Sequence, residues 1–534
     1  MSSTETASPS KIRNFLHLWF PWSVLSLATL VIILLWAWPS QMELANRVAG
    51  TTMTLMATFL LLLFWFLVFS GLQWWALVGG TLVLVAATLG SIREVHFSGD
   101  MVPIFQFRWD KTHDEILEAQ RKSMAGQAVS VLNVPENNPA DFPEYRGRKR
   151  DGVVTGPPLA RDWKLQPPKQ LWKQPVGGGY AGFSVAGNAA VTIEQRRDQE
   201  VVVCYDTLSG QERWRFPYPA DFQEPLGGPG PRATPTIAGG DVFSLGATGR
   251  LVCLELPTGH EKWSVNILAD NDNVHWGMSG SPLVYDKVVV VNPGAQRSAA
   301  AGRAVVAYDR ATGKQVWAAG KAPAGYSSPM LATLAGRRQI VLFDGKQVAG
   351  YDAADGAELW HHEWTTMQGI NVAQPLVLPG DRVFISSAYD VGCAMLRVSE
   401  AGGRYAIKPL WQNTNLRCKF ASPVAYQGSI YGLDDGFLCC LDQETGDRKW
   451  REGRYGHGQL LRSDDLLLIL AENGKLALVQ ATPERYRELG RISVFSDKTW
   501  NYLALADGRA YLRNDREMAC YDLADKREAD VRVK

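Results

Sequence analysis

A nine-residue phrase recurs through the last two thirds of this 534-residue chain and constrains its fold more than any other feature. The phrase reads Asp-x-x-Thr-Gly-x-x-x-Trp. It stands in full at Asp309-Thr312-Gly313-Trp317 and Asp442-Thr445-Gly446-Trp450. Single exchanges give Asp206-Ser209-Gly210-Trp214, Glu255-Thr258-Gly259-Trp263 and Asp352-Asp355-Gly356-Trp360. Copies spaced roughly 40 to 55 residues apart are the signature of a radial β array. Most copies end a run of β-branched, aromatic and small residues, such as Val202–Asp206 or Val305–Asp309, which suits a strand. The Asp accepts amide hydrogen bonds in the following turn, and the Gly supplies the positive φ that such a turn needs. The Trp then opens the next strand. Burying it between neighbouring units removes about 200 Å² from water, worth at most about 5 kcal/mol.

Weaker copies follow the same spacing. Trp411 comes after Leu396–Val398 through a longer turn, Arg491 takes the Trp position after Leu478-Val479, and Trp172 stands ahead of the first full copy. Strand runs begin near Phe183, Thr234, Ser281, Ser328, Gln374, Ser422, Leu460 and Tyr502. Eight runs predict an all-β, eight-bladed β-propeller. Trp172, Trp214, Trp263, Trp317, Trp360, Trp411 and Trp450 are its expected blade-docking residues. Five runs open on a small or polar residue followed by proline: Thr234-Pro235, Ser281-Pro282, Ser328-Pro329, Gln374-Pro375 and Ser422-Pro423. Proline suits the start of a strand with one unpaired edge, as the innermost strand of a blade has. The last blade, Tyr502 to Asp522, lacks a fourth strand, and Leu171-Trp172-Lys173 has no strands before it. This segment is expected to close the ring as the missing outer strand.

The N-terminal region differs. Leu18 to Pro39 and Val48 to Ile92 contain no charged residue. About 20 apolar residues cross a bilayer, so three transmembrane helices are expected near 18–38, 51–69 and 73–92, the last two joined by a tight hairpin near Ser70-Gly71. Trp19, Trp22, Trp36, Trp38, Trp74 and Trp75 fall near helix ends, where indole favours the interface. No small-residue cleavage site follows the first helix, which argues against a signal peptide. Lys11 and Arg13 favour a cytoplasmic N-terminus. Three spans then place the propeller on the periplasmic side of a bacterial inner membrane. The domain plan is a tail (1–15), a transmembrane region (16–92), a juxtamembrane connector (93–165), the propeller (166–525) and a tail (526–534). Within the connector, Phe97 to Trp109 is aromatic-rich and suits the membrane surface, Asp114 to Ala128 suits a short amphipathic helix, and Asn133 to Pro168 reads as linker. The formal net charge of +1 and 20 % charged residues give no basic face for nucleic acid.

The blades resemble those of the pyrroloquinoline-quinone (PQQ)-like β-propeller repeat family over roughly residues 142 to 525. Longer phrases carry the resemblance: Phe142–Gly147 with Arg150-Asp151-Gly152, Gly228–Pro235, and Arg454–Gln459. They are similar to phrases of its membrane-anchored bacterial members. The family includes a propeller lipoprotein of outer-membrane barrel assembly and the quinoprotein alcohol and glucose dehydrogenases. The resemblance therefore implies two functions. The first is a non-catalytic envelope scaffold that binds proteins or polymers without a cofactor. The alternative is a membrane dehydrogenase that oxidises an alcohol or sugar with PQQ and calcium at the propeller axis.

The residues favour the first. Calcium needs converging oxygen ligands and the dehydrogenase a carboxylate base. Glu194, Glu472, Asn501 and Asp515 are candidates, but their spacing assembles no such site. Some quinoprotein alcohol dehydrogenases carry a disulfide between adjacent cysteines. Here Cys439-Cys440 lies within a strand, where neighbours face opposite sides, and Cys440 shares the packing slot of Cys204, Cys253 and Cys520. His275 and His457 lack metal-ligand spacing. No catalytic, cofactor-binding or metal residue is assigned. The candidate binding patch comprises Arg232, Trp276, Arg454, Tyr455, His457, Trp500, Asn501 and Arg513, in turns or at strand starts that cluster at one propeller mouth. Aromatic residues and Arg at such positions are the usual anchors of interfaces.

Overall fold

The computed structural model describes residues 9–37, 44–69, 73–97, 103–124, 126, 129–136, 138–224, 227–268, 272–295 and 302–526. They form two compact units, Met1–Lys111 and Thr112–Lys534. The expected Ser70-Gly71 hairpin and nearly all of the C-terminal tail lie outside the described residues.

The first unit holds three helices, α1 (Pro9–Ala37), α2 (Leu44–Phe69) and α3 (Trp74–Ser91), and an antiparallel hairpin of Ile92–Phe97 with Pro103–Phe107. Among the described residues, two segments, Trp19–Ala37 and Arg47–Phe69, are long and apolar enough to cross a membrane. The expectation of three such helices is corrected here. At 18 residues, α3 rises about 27 Å, short of a hydrocarbon core of about 30 Å.

In the second unit the strands form eight radial sheets among the described residues. Blade 1 comprises Ser184–Ala186, Ala189–Arg196, Gln199–Asp206 and Glu212–Pro219. Blades 2 to 7 repeat this meander and begin at Thr236, Leu283, Met330, Leu376, Val424 and Gln459. Blade 8 has three strands of its own, Ala504–Ala506, Arg509–Arg513 and Glu517–Asp522, and takes Lys169–Pro175 as its outer strand. The Trp172 segment thus closes the ring.

The repeated phrase works by seating each Trp on its neighbour. Asp206 Oδ1 accepts the amides of Leu208 and Ser209, and Asp442 Oδ1 those of Glu444 and Thr445. Trp172 lies on Gly210 of blade 1 and donates to Thr207 O (3.0 Å), while Trp263 lies on Gly313 of blade 3 and donates to Arg310 O (2.9 Å). A Cβ at either glycine would stand 2.7–2.8 Å from the indole, and both glycines have φ near 70°. Glycine is therefore required twice over, by the turn and by the seat. Across the strand, a docking Trp usually faces a small residue: Cys204, Cys253, Ala307, Gly350, Cys440 or Cys520. Trp360 departs from the pattern. The turn of blade 5 is a long hairpin without a glycine seat, and Trp360 folds over Gly350 of its own blade and donates to Gln339 (2.6 Å).

At the axis, the residues before the inner strands join all eight blades into a hydrogen-bonded belt. Gly182 N donates to Thr234, Thr234 N to Ser281, and Ser281 N to Ser328, each to the side-chain hydroxyl. Gln374 donates to Ser328 O through its amide side chain and to Ser422 through its backbone. Gln459 bridges Phe420 O and Trp500 O, and Asn501 bridges Gly179 O and Ala181 O. The following proline, which has no N–H, leaves the backbone donor of the belt residue as the one to satisfy.

The stretch read as linker is built into this axis. Phe142 bridges Val185 of blade 1, and Pro143 O accepts Ile237 N of blade 2. Val153–Val154 pairs in parallel with the inner strand of blade 7. Between them Arg146 and Arg150 are 0 % and 1 % exposed. Arg146 donates to Ser422 O, Pro423 O, Asp151 O and Arg150 O. Arg150 binds Glu144 (2.6 Å), Ser281 O, Pro329 O, Thr236 Oγ1 and Pro282 O, which occupies all five of its donors. Both arginines hold positive φ (63° and 54°), a strained conformation that persists where surrounding bonds dictate it. Sequence alone showed charge, Pro and Gly here, and it could not show that the guanidinium groups fit carbonyls from blades far away in the chain. Arg150→Ala should cost about 3–5 kcal/mol by stranding buried carbonyls and Glu144, with little recovery in Arg150→Lys, whose ammonium cannot serve the same fork. Denaturant unfolding followed by tryptophan fluorescence measures this, and a wild-type midpoint for Arg150→Ala would show that the plug is a passenger.

Candidate functional site

Antiparallel meanders put two sets of connections on each face of the ring. One face carries the repeated turns. The other carries the blade-to-blade crossings and the turns between second and third strands, and it is the mouth. The position two residues before the belt recurs there as Tyr180, Arg232, Tyr326, Phe420 and His457.

These residues and their neighbours form an arc of rings and cations. Arg232 lies over Phe222 (4.7 Å) and Tyr180 (5.7 Å), and donates to Gly228 O and Gly230 O. Tyr180 faces Trp500 at 5.5 Å, and the Lys498 ammonium lies over Trp500 at 4.3 Å. Trp500 continues to Phe420 (4.9 Å), which meets the His457 ring at 5.6 Å. Glu472 ties this end together by accepting Trp500 Nε1 (2.7 Å) and His457 N (3.0 Å). Trp276 stands edge-on to Tyr326 (5.7 Å) and His275 (4.6 Å). Burial pushes the Lys498 and Arg232 pKa values down and that of Asp515 up. Tyr180 Oη and Asp515 Oδ1 are buried without a hydrogen-bond partner within the chain.

Of the eight candidate residues, the structure brings Arg232, Trp276, His457 and Trp500 to this face. Asn501 is a belt residue. Arg513, 0 % exposed, clamps the ring seam through Gly177 O, Gly179 O, Ile193 O and Thr192. Tyr455 is buried against Tyr486 (2.8 Å) and Glu488 (2.7 Å). Arg454 is exposed at the end of an outer strand, over the Phe437 ring at 5.3 Å. Tyr180, Phe222, Tyr326, Phe420 and Lys498 were missed. Counting two residues back from each belt position would have found three of them.

Other chemistry is spent internally. A cavity of about 300 Å³ opens between helix α4 (His113–Met124) and the blade 8–blade 1 seam, but its Arg121 and Arg196 both bind Glu212. All seven cysteines are buried and unpaired. Cys439 packs toward blade 5 and Cys440 toward blade 7. Among the described residues no group of three or more His, Cys, Asp or Glu could hold a metal ion. Of the candidates for calcium or a base, Glu194 pairs with Arg196, Glu472 accepts Trp500 Nε1, and Asn501 belongs to the belt.

Asp344 lies on the same face, in the blade 4 turn. Its Oδ1 accepts the Lys346 and Gln347 amides (2.9 Å each), Oδ2 has no partner within the chain, and burial pushes its pKa up to about 7. A carboxyl raised above its unfolded value binds protons more tightly when folded, so stability falls as pH rises from about 4 to about 7 and levels off above. Asp344→Asn keeps the accepting oxygen and removes the charge. It should flatten that slope in urea unfolding measured across this window, and an unchanged slope would mean that Asp344 titrates normally.

Comparison with known proteins places this geometry. Residues 165–266 and 197–452 match the sequence profile of the family described as outer membrane protein assembly factor BamB. The BamB protein of Burkholderia pseudomallei (strain K96243) is 22 % identical over 324 residues, 52 % of this chain and 78 % of that protein. The crystal structure of BamB from Moraxella catarrhalis is 14 % identical over 67 % of this chain and 98 % of its own, with a TM-score of 0.48. The quinohemoprotein alcohol dehydrogenase of Comamonas testosteroni is 11 % identical over 78 % and 83 %, with a TM-score of 0.51. This last likeness concerns the fold alone.

Proposed function

This chain belongs to the PQQ-like β-propeller family, and we propose that it is a membrane-anchored, non-catalytic scaffold that binds protein partners in the bacterial envelope. The observation that carries the reading is the contrast between axis and mouth. The axis is filled from the turn face by Arg146 and Arg150, and the Arg150 donors are all spent on protein. An axial PQQ with calcium would need that space and free oxygen ligands, and these residues do not fit it. The mouth instead offers aromatic faces with cations on them, the composition of interface hot spots. A relative named as an assembly factor supports the same reading.

The anchor in this proposal is α1 and α2, the helices whose apolar segments are long enough to cross a membrane, with the propeller in the periplasm. A photo-crosslinking amino acid at Trp276 or Trp500 should yield envelope-protein adducts in cells. The same group at Leu208, exposed on the turn face, should yield few. In parallel, PQQ with Ca²⁺ titrated into the purified chain should show no saturable quenching of tryptophan fluorescence. One-to-one saturation would move the assignment to the dehydrogenase.

A further inference from the structure

The hairpin that follows α3 has two unlike faces. Antiparallel pairing sets Val95 opposite Phe105 and Glu94 opposite Gln106. Side chains alternate along a strand, so Val95, Phe105 and Phe107 share one face while Glu94, Gln106 and Ile104 share the other. The apolar face is extended by Trp109, stacked on Phe107 at 4.9 Å and 2°. It is open: Val95 is 43 %, Phe105 49 % and Trp109 71 % exposed. A two-stranded sheet is marginal in water by itself, so this face needs a partner.

Continuity with α3 indicates which one. The helix ends at Ser91 and the strand begins at Ile92, with no linker between them. Arg108 N donates to Ser91 O (2.8 Å), and Arg93 grips Arg108 O (2.7 Å) and Asp110 O (3.0 Å), so the hairpin base is tied to the helix end. The helix itself leaves Leu82, Val83, Leu84 and Leu89 exposed. We infer that the hairpin lies along the membrane surface, with Val95, Phe105, Phe107 and Trp109 seated at the lipid boundary and Glu94 and Gln106 turned to water. Aromatic rings are favoured at that depth. This inference rests on the membrane reading proposed above.

The test uses the full chain in nanodiscs of phosphatidylcholine and phosphatidylglycerol, with an environment-sensitive fluorophore on one introduced cysteine at a time. The native cysteines are buried and stay unlabelled in the folded protein. Phe105→Cys and Trp109→Cys should be quenched several-fold more by shallow nitroxide lipids than Gln106→Cys, with the order reversed for aqueous iodide. Leu84→Cys reports the helix and Leu208→Cys the propeller. An unquenched Leu84 label would reject the membrane reading itself. A quenched Leu84 label with labels 105 and 106 alike would reject the hairpin seat and leave the anchor standing. Shielding of label 105 from both quenchers would mean that protein covers the face, and would also overturn the inference.

Discussion

The belt at the axis is the interaction on which the ring depends. Inner strands of a propeller crowd together and present backbone donors that water cannot reach. A buried donor without a partner costs about 1–3 kcal/mol, and eight blades multiply that debt. Hydroxyl and amide side chains meet it blade by blade, from Gly182 to Asn501. The carbonyls left over are taken by two guanidinium groups from outside the ring. Arg146 and Arg150 suit this because a planar fork reaches several acceptors at once. The same contacts fill the axis with protein groups.

Around this hub, the outer part of the ring is held by a mechanism of a different kind. Most docking Trp residues supply apolar area, but their position comes from a glycine on the next blade and a carbonyl beside it, while Trp450 keeps only the carbonyl, Thr482 O. The seat is therefore shared between neighbours, and a lost glycine weakens two blades. Ring closure through Lys169–Pro175 follows the same rule, since Trp172 docks on blade 1 as the other indoles dock on their neighbours. Where the seat is missing, at blade 5, the indole turns back onto its own sheet.

The mouth is built on the belt. Its rings stand on loops that the belt holds a fixed two residues away, so the arc of rings is spaced by the hydrogen bonds beneath it. Burial keeps Lys498 and Arg232 against aromatic faces, and in the proposed scaffold role a partner would meet a surface already desolvated. Such preorganisation lowers the entropy cost of association. The α3 hairpin presents a second amphipathic surface, in a different unit.

Much of this could be read directly from the chain. The Asp-x-x-Thr-Gly-x-x-x-Trp period determined the blade count, the turns and most of the docking indoles, because each depends on a turn or an alternation complete within about ten residues, and the missing fourth strand of the last blade pointed to Trp172 as its outer strand. Tertiary structure alone decided the rest. It turned a Pro- and Gly-rich stretch into an axial plug, since the partners of Arg146 and Arg150 come from blades up to 277 residues away. It divided the candidate patch, leaving Trp276 and Trp500 at the mouth and drawing Asn501 and Arg513 into the frame. Type and spacing mark a residue as able to bind, but which carbonyl stands opposite a guanidinium is settled only when the ring closes.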